Sequence, residues 1–310
     1  MHKIFLCGNV DVGKSTIAGQ IIYKSNLYDE RTVDSVFRKA IEDKMERWKF
    51  ARLIDICEEE QRRGKTVSFT EIEFNFNEKK YLMIDTPGHK LYLPSMIEGL
   101  TVHDPSTVTG CIIVSAFEGE FNAGWEGGQT KEDLILMRSS GINNFIILVN
   151  KMDTLEWNNE IFLKYSNIVS DYMNKNLGVK NIKSFPLSGW TGEGIDEFLN
   201  NVPESKIINN LEIYYDTEII KVNVLLFGFE GLITKGYLMI GHIIDKQKMP
   251  INIIVNYIKE GIIKTGDKKA EMILSIPKTN LRKGTRILLR SKDNITIGAC
   301  VIIGIKPYKN

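Results

Sequence analysis

"GNVDVGKST", residues 8–16, sets Gly8 and Gly13 five positions apart and follows the second at once with Lys14 and Ser15. The apolar run "KIFLC" (3–7) precedes it, and Lys14–Ser25, with apolar residues at helical spacing, follows it. Strand, glycine loop, helix is the context in which Gly-x-x-x-x-Gly-Lys-Ser cradles phosphate as a P-loop. The two glycines let Asn9, Val10, Asp11 and Val12 curl so that backbone N–H groups turn toward phosphate oxygens. The helix start at Ser15 and Thr16 adds its positive dipole end. Lys14 brings a point charge to the outer phosphates, and the Ser15 hydroxyl suits Mg2+. The bland alternative is a fortuitous glycine-rich turn, and the flanking pattern weighs against it.

Outward from this loop, short apolar runs alternate with helical stretches. The runs are "YLMI" (81–84), "GCIIVS" (110–115), "FIILV" (145–149) and the weaker "IKSFPL" (182–187). Between them lie stretches such as Asp133–Ser140 and Asn158–Lys175. That alternation predicts an α/β domain, its sheet mostly parallel with helices on both faces and "EFNFN" as an added edge strand. Character changes near "NNVPESKIINN" (200–210), after which β-branched residues and glycine turns dominate. The expected organisation is an α/β P-loop domain over 1–205 and a small antiparallel β-barrel over 206–310.

Bulk properties narrow the class. The chain has 310 residues, 43% hydrophobic and 25% charged, with a net charge of +1. Such a balance gives no global pull toward nucleic acid or membrane. Cys7, Cys57, Cys111 and Cys300 form no Cys-x-x-Cys pair, which argues against a zinc site or disulfide framework and for a reducing compartment. "MHKIFLCG" runs straight into the loop without a signal segment, and no apolar run is long enough to span a bilayer. The expectation is a soluble, cytoplasmic protein.

Four further segments stand at the ends of inferred strands, where open α/β sheets bind ligands. In "NKMD" (150–153), the Asp153 carboxylate can accept both N1–H and the exocyclic amine of guanine, a pair adenine does not offer. Asn150 reaches the other purine edge, and the Lys151 stem can cover the ring. "SGW" (188–190) adds Ser188, Gly189 and Trp190, whose backbone and hydroxyl groups suit the guanine O6. In "DTPGHK" (85–90), Asp85 suits Mg2+ through water, the Gly88 N–H can sense the outermost phosphate, and His89 can orient an attacking water. "EEEQRRGKTVSF" (58–69) offers Thr66 as a second hydroxyl ligand for the metal, although charge runs more often mark a solvated helix face. Alone, the four-residue "NKMD" is an ordinary turn; in company with the glycine loop it favours GTP over ATP.

The order "GNVDVGKST", "GKT", "DTPGHK", "NKMD", "SGWTGEG" resembles the translational GTPases of the elongation factor 1-alpha superfamily. Within it, "PGHKLYLPSMIEG", "EGEFNAGWEGGQT" and "MERWKFARLID" are similar to the GTPase subunit of the eukaryotic release factor pair. The resemblance implies a Mg2+-dependent GTP hydrolase with His89 as catalytic residue, Val10 as one side of an apolar gate over it, and a monovalent cation near Asp11. It implies a monomer that forms a heterodimer with a class-I release factor and acts on the ribosome at the sarcin–ricin rRNA region. "GTRILLRSKDNITIGACVIIGIKP" is similar to the last barrel of that family, so the middle barrel is expected to be missing. Two readings stand beside termination in the same superfamily, a ribosome-rescue GTPase and a reduced aminoacyl-tRNA carrier. A third, of another class, is a GTP-gated binding module with little hydrolysis of its own.

Overall fold

The computed structural model describes residues 1–54, 70–85, 103–127, 129–205, 215–226, 231–244, 250–267, 269–292 and 296–307. The chain divides into two compact units, one of Met1–Gly99, Ser106–Leu134 and Ile142–Lys206, the other of Leu100–Pro105, Ile135–Gly141 and Ile207–Asn310.

The N-terminal part runs β1 (His2–Cys7), α1 (Lys14–Lys24), α2 (Glu30–Glu42), β2 (Thr70–Phe76), β3 (Lys79–Asp85), β4 (Thr109–Ser115) and α3 (Glu118–Trp125). It continues with α4 (Gln129–Ser140), β5 (Asn144–Asn150), α5 (Asn159–Leu177), β6 (Lys183–Pro186) and α6 (Ile195–Asn201). The six strands lie in the order β2-β3-β1-β4-β5-β6. All neighbours are parallel except β2 against β3, so the alternating "EFNFN" segment is an antiparallel edge strand as the pattern requires. The β4 side chains are buried along its whole length, which is why "TGCIIVS" has no alternation. Ile17, Ile21 and Ile22 of α1 and Ile195, Phe198 and Leu199 of α6 join Ile4, Leu6, Ile113 and Leu148 of the sheet in one core.

The chain leaves β1 for β3 on one side and β4 on the other, so the sheet order reverses at β1. Open α/β sheets bind ligands at such a switch point, beyond the carboxyl ends of the strands, and the glycine loop follows β1 there. Local signals fix the helices that frame it. Asp29 caps α2 by accepting from the Thr32 N–H at 2.8 Å, and Asn158 caps α5 by accepting from Glu160 N–H at 2.9 Å.

The C-terminal part is a closed barrel of β7 (Tyr215–Leu226), β9 (Leu238–Ile243), β10 (Ile251–Ile258), β12 (Lys269–Leu281), β13 (Arg286–Arg290) and β14 (Thr296–Pro307), with β8 (Leu232–Ile233) and β11 (Ile263–Lys264) paired as a separate ribbon. Every pair in it is antiparallel. Ile220, Val222 and Val224 of β7 point inward with Leu274, Ile287, Leu289 and Ile302. Register shifts between Ser275 and Thr279 and between Ile302 and Gly304 bend the long strands enough for closure. His242 is half-buried opposite Leu288, and burial together with Arg290 lowers its pKa. Cys7, Cys111 and Cys300 are free, buried thiols.

Candidate nucleotide site

Gly8 and Gly13 have φ of +148° and +93°, a region L side chains rarely adopt. Space forbids a side chain as well. A Cβ on Gly8 would strike the Ile113 carbonyl, and one on Gly13 would strike the Asn150 amide nitrogen. Between these glycines the loop wraps Lys14, whose ammonium donates to the carbonyls of Gly8 at 2.8 Å and Asn9 at 2.6 Å. Burial lowers the pKa of Lys14, and Asp85, Cys7, Asp133 and Asp11 oppose that shift. No side chain caps the start of α1, and its first turn carries no acidic residue. A helix start kept clear of carboxylates is suited to an anion.

Asn150 ends β5 and is 2% exposed. Its Nδ2 donates to the Val12 carbonyl at 2.8 Å, and its Oδ1 accepts from the Gly189 N–H at 2.9 Å. One side chain thus joins the glycine loop to the "SGW" loop. The expectation that it reaches a purine edge gains a second duty, since both ends of its amide are engaged by backbone. Ser188 is fully buried, and its hydroxyl accepts from the N–H groups of Trp190 at 3.2 Å and Thr191 at 3.1 Å. Those bonds hold Trp190 at the rim, 40% exposed, edge-on to Phe50 and 4.7 Å from the Lys49 ammonium.

Lys151 has φ of +68°, and its ammonium meets both oxygens of Glu120 at 2.7 Å. Asp153 is the second residue of the short helical turn Met152–Leu155 and is half-buried. Asp85 ends β3 opposite Leu6 of β1, and Ser15 lies exposed in the first turn of α1. A hydroxyl and a carboxylate are hard oxygen donors, and Mg2+ typically takes one or two protein oxygens, with phosphates and water completing its shell. These two residues therefore fit that ion, and Ser15 and Asp85 would hold it. Gly88, His89 and Thr66 lie outside the described residues, as does the whole of 58–69.

Three participants escaped the sequence reading. Glu120 and Lys49 act through partners distant in the chain, and nothing local marks them. Asp133 left a trace, because Gln129, Thr130 and Asp133 are polar positions in a helix whose Leu134 and Met137 are buried.

Residues 1–206 match the elongation factor Tu GTP binding domain family. The chain is 34% identical over 201 residues to the eukaryotic peptide chain release factor GTP-binding subunit of Schizosaccharomyces pombe, covering 63% of this chain and 30% of that one. It is 37% identical over 206 residues to elongation factor 1-alpha of Desulfurococcus mucosus, covering 65% and 46%. The chain thus spans less than half the length of these relatives. In fold it resembles the GTP-bound Ski7 GTPase-like domain of S. cerevisiae, with a TM-score of 0.70, 12% identity and coverage of 97% and 96%. A bacterial selenocysteine-specific elongation factor, EF-Sec, aligns with a TM-score of 0.62 and 14% identity over 98% and 58%. With two-thirds of its length matched, the chain belongs to the elongation factor Tu GTP-binding domain family.

Proposed function

We infer that this chain is a Mg2+-dependent GTPase of translation that works with a class-I release factor on the ribosome. The observation that carries the nucleotide reading is the Asn150 bridge, which ties the phosphate loop to the base loop through one buried amide. Lys14 and the uncapped start of α1 receive the phosphates, Asp153 and the "SGW" loop read guanine, and Ser15, Asp85 and Thr66 hold the metal. When bound, Mg2+ neutralises charge on the outer phosphates. His89 orients the attacking water, and hydrolysis needs that positioning more than it needs a strong base. The domain boundary near 205 belongs to this same reading. Termination rests on "PGHKLYLPSMIEG" and on the release-factor relatives.

A second reading, an aminoacyl-tRNA carrier, is favoured by the similar identity to elongation factor 1-alpha. The deciding experiment measures GTP hydrolysis with ribosomes, with and without a class-I release factor. Stimulation by the pair alone supports termination, while co-purification with aminoacyl-tRNA sinks it. His89→Ala should keep GTP affinity and lose the stimulated turnover, whereas Lys14→Ala should lose nucleotide binding. Equal turnover in His89→Ala and wild type would leave a GTP-gated binding module.

A further inference from the structure

Helix α4 sends Gln129, Thr130 and Asp133 into the interior, although polar side chains rarely go there without a reason. Asp133 is 2% exposed, and Gln129 Nε2 donates to its Oδ1 at 2.7 Å. Cys7 stands within electrostatic reach of the same carboxyl group, whose charge adds to burial in raising the thiol. Cys7 is the last residue of β1, and the next residue, Gly8, offers the carbonyl that accepts Lys14 Nζ at 2.8 Å. A side chain built on Gly124 would meet both Asn9 and Thr130, so α3 closes tightly over this part of the loop. The carboxyl, on the helix whose Thr130 approaches Gly124 beside Asn9, therefore stands within electrostatic reach of Lys14 and of Cys7, the residue that leads into the loop. A neutral amide donor solvates a buried carboxylate only in part, and Lys14 supplies the opposite charge. The other ionisable groups acting on this pair are Cys7 on β1, Asp11 in the loop, Asp85 on β3 and Glu132 on α4.

We propose that Asp133 is a positioning residue of the phosphate site, sharing the charge of Lys14 and taking up a proton when triphosphate arrives. The inference rests on Lys14 being the lysine that meets the phosphates. Desolvation already raises the carboxyl to about 6, so its proton exchanges in the neutral range. Phosphate charge drawn to Lys14 raises it further, because the lysine is then neutralised by another anion. Each unit of that rise tightens binding to the protonated form by about tenfold.

The test compares the Kd of a non-hydrolysable GTP analogue with Mg2+ across pH 5.5 to 8.5 in wild type and Asp133→Asn. The asparagine variant should bind several-fold more tightly than wild type at pH 8, and the two curves should converge at pH 5.5. Parallel curves, or a constant weakening in the variant, would reduce Asp133 to a structural residue and overturn the proposal. A wild type that binds no guanine nucleotide at any pH overturns the phosphate-site reading and this proposal with it. Carbon-13 NMR of aspartate-labelled wild type gives a second readout. One carboxyl signal, absent from Asp133→Asn or from Asp133→Glu, should titrate near pH 6 and shift its midpoint upward when the analogue is added. An unmoved midpoint overturns the proposal.

Discussion

Asn150 donates its amide N–H to the Val12 carbonyl across 2.8 Å, from the end of β5 to the middle of the phosphate loop. The same side chain accepts from Gly189, so its loss leaves two buried backbone groups without their partner. Each such group costs about 1–3 kcal/mol, and Asn150→Ala should therefore lose roughly 2–6 kcal/mol of stability in urea unfolding. GDP affinity should fall with it, because both loops relax. A variant with reduced affinity but unchanged stability would show that the side chain reads the base and braces nothing.

Gly13→Ala tests the loop from its other side. Alanine at φ of +93° carries a backbone penalty of about 1–2 kcal/mol. The added methyl also strikes the Asn150 amide, so the bridge and the loop shift together. Nucleotide affinity should drop by at least about tenfold and stability should fall by about 1–2 kcal/mol or more, read by fluorescent GDP titration and calorimetry. Wild-type affinity in this variant would mean that the loop does not hold phosphate in the conformation described.

Much of this was legible in the sequence. The glycine loop, its flanking strand and helix, and the parallel strands follow from patterns that are local by nature. "FIILV" was readable as a buried strand because both its faces are covered. Helix α2 was passed over although Val33, Val36, Phe37 and Ala40 recur at helical spacing, since its charged residues dominate the composition. Strand order in the barrel was not readable, because β7 pairs with β12 and β14, and turn signals report only adjacent strands. The engagement of Asn150 by two loops, and of Lys151 by Glu120, depends on partners 138, 39 and 31 residues away. No periodicity encodes such distances.

The raised carboxyl of Asp133 carries a consequence for stability that is separate from nucleotide binding. Its folded value, about 6, lies above the ordinary aspartate value, so the folded chain holds more protons than the unfolded chain between these two pH values. Its contribution is complete below about pH 4 and is lost as pH rises through 6, amounting to about 3 kcal/mol in all. Relative to Asp133→Asn, the wild type should lose stability across that window and stay level above pH 7. A difference between the two proteins that is independent of pH would show that the carboxyl keeps its ordinary value.

Glu120 and Lys151 set the last test. The pair is only partly exposed, with two 2.7 Å contacts to one ammonium, and Lys151 sits at a strained positive φ beside Asp153. Without Glu120 the ammonium loses the partner that holds it, and the stem proposed to cover the purine ring is no longer fixed. Glu120→Gln should therefore weaken GTP and GDP by a similar factor, a few-fold at low salt and less at high salt, as partly exposed ion pairs are screened. Since the proposed duty of Lys151 is to cover the purine ring, turnover at saturating GTP should change little. A variant that lowers the maximal rate while sparing affinity would place Glu120 in the hydrolysis step and not at the base.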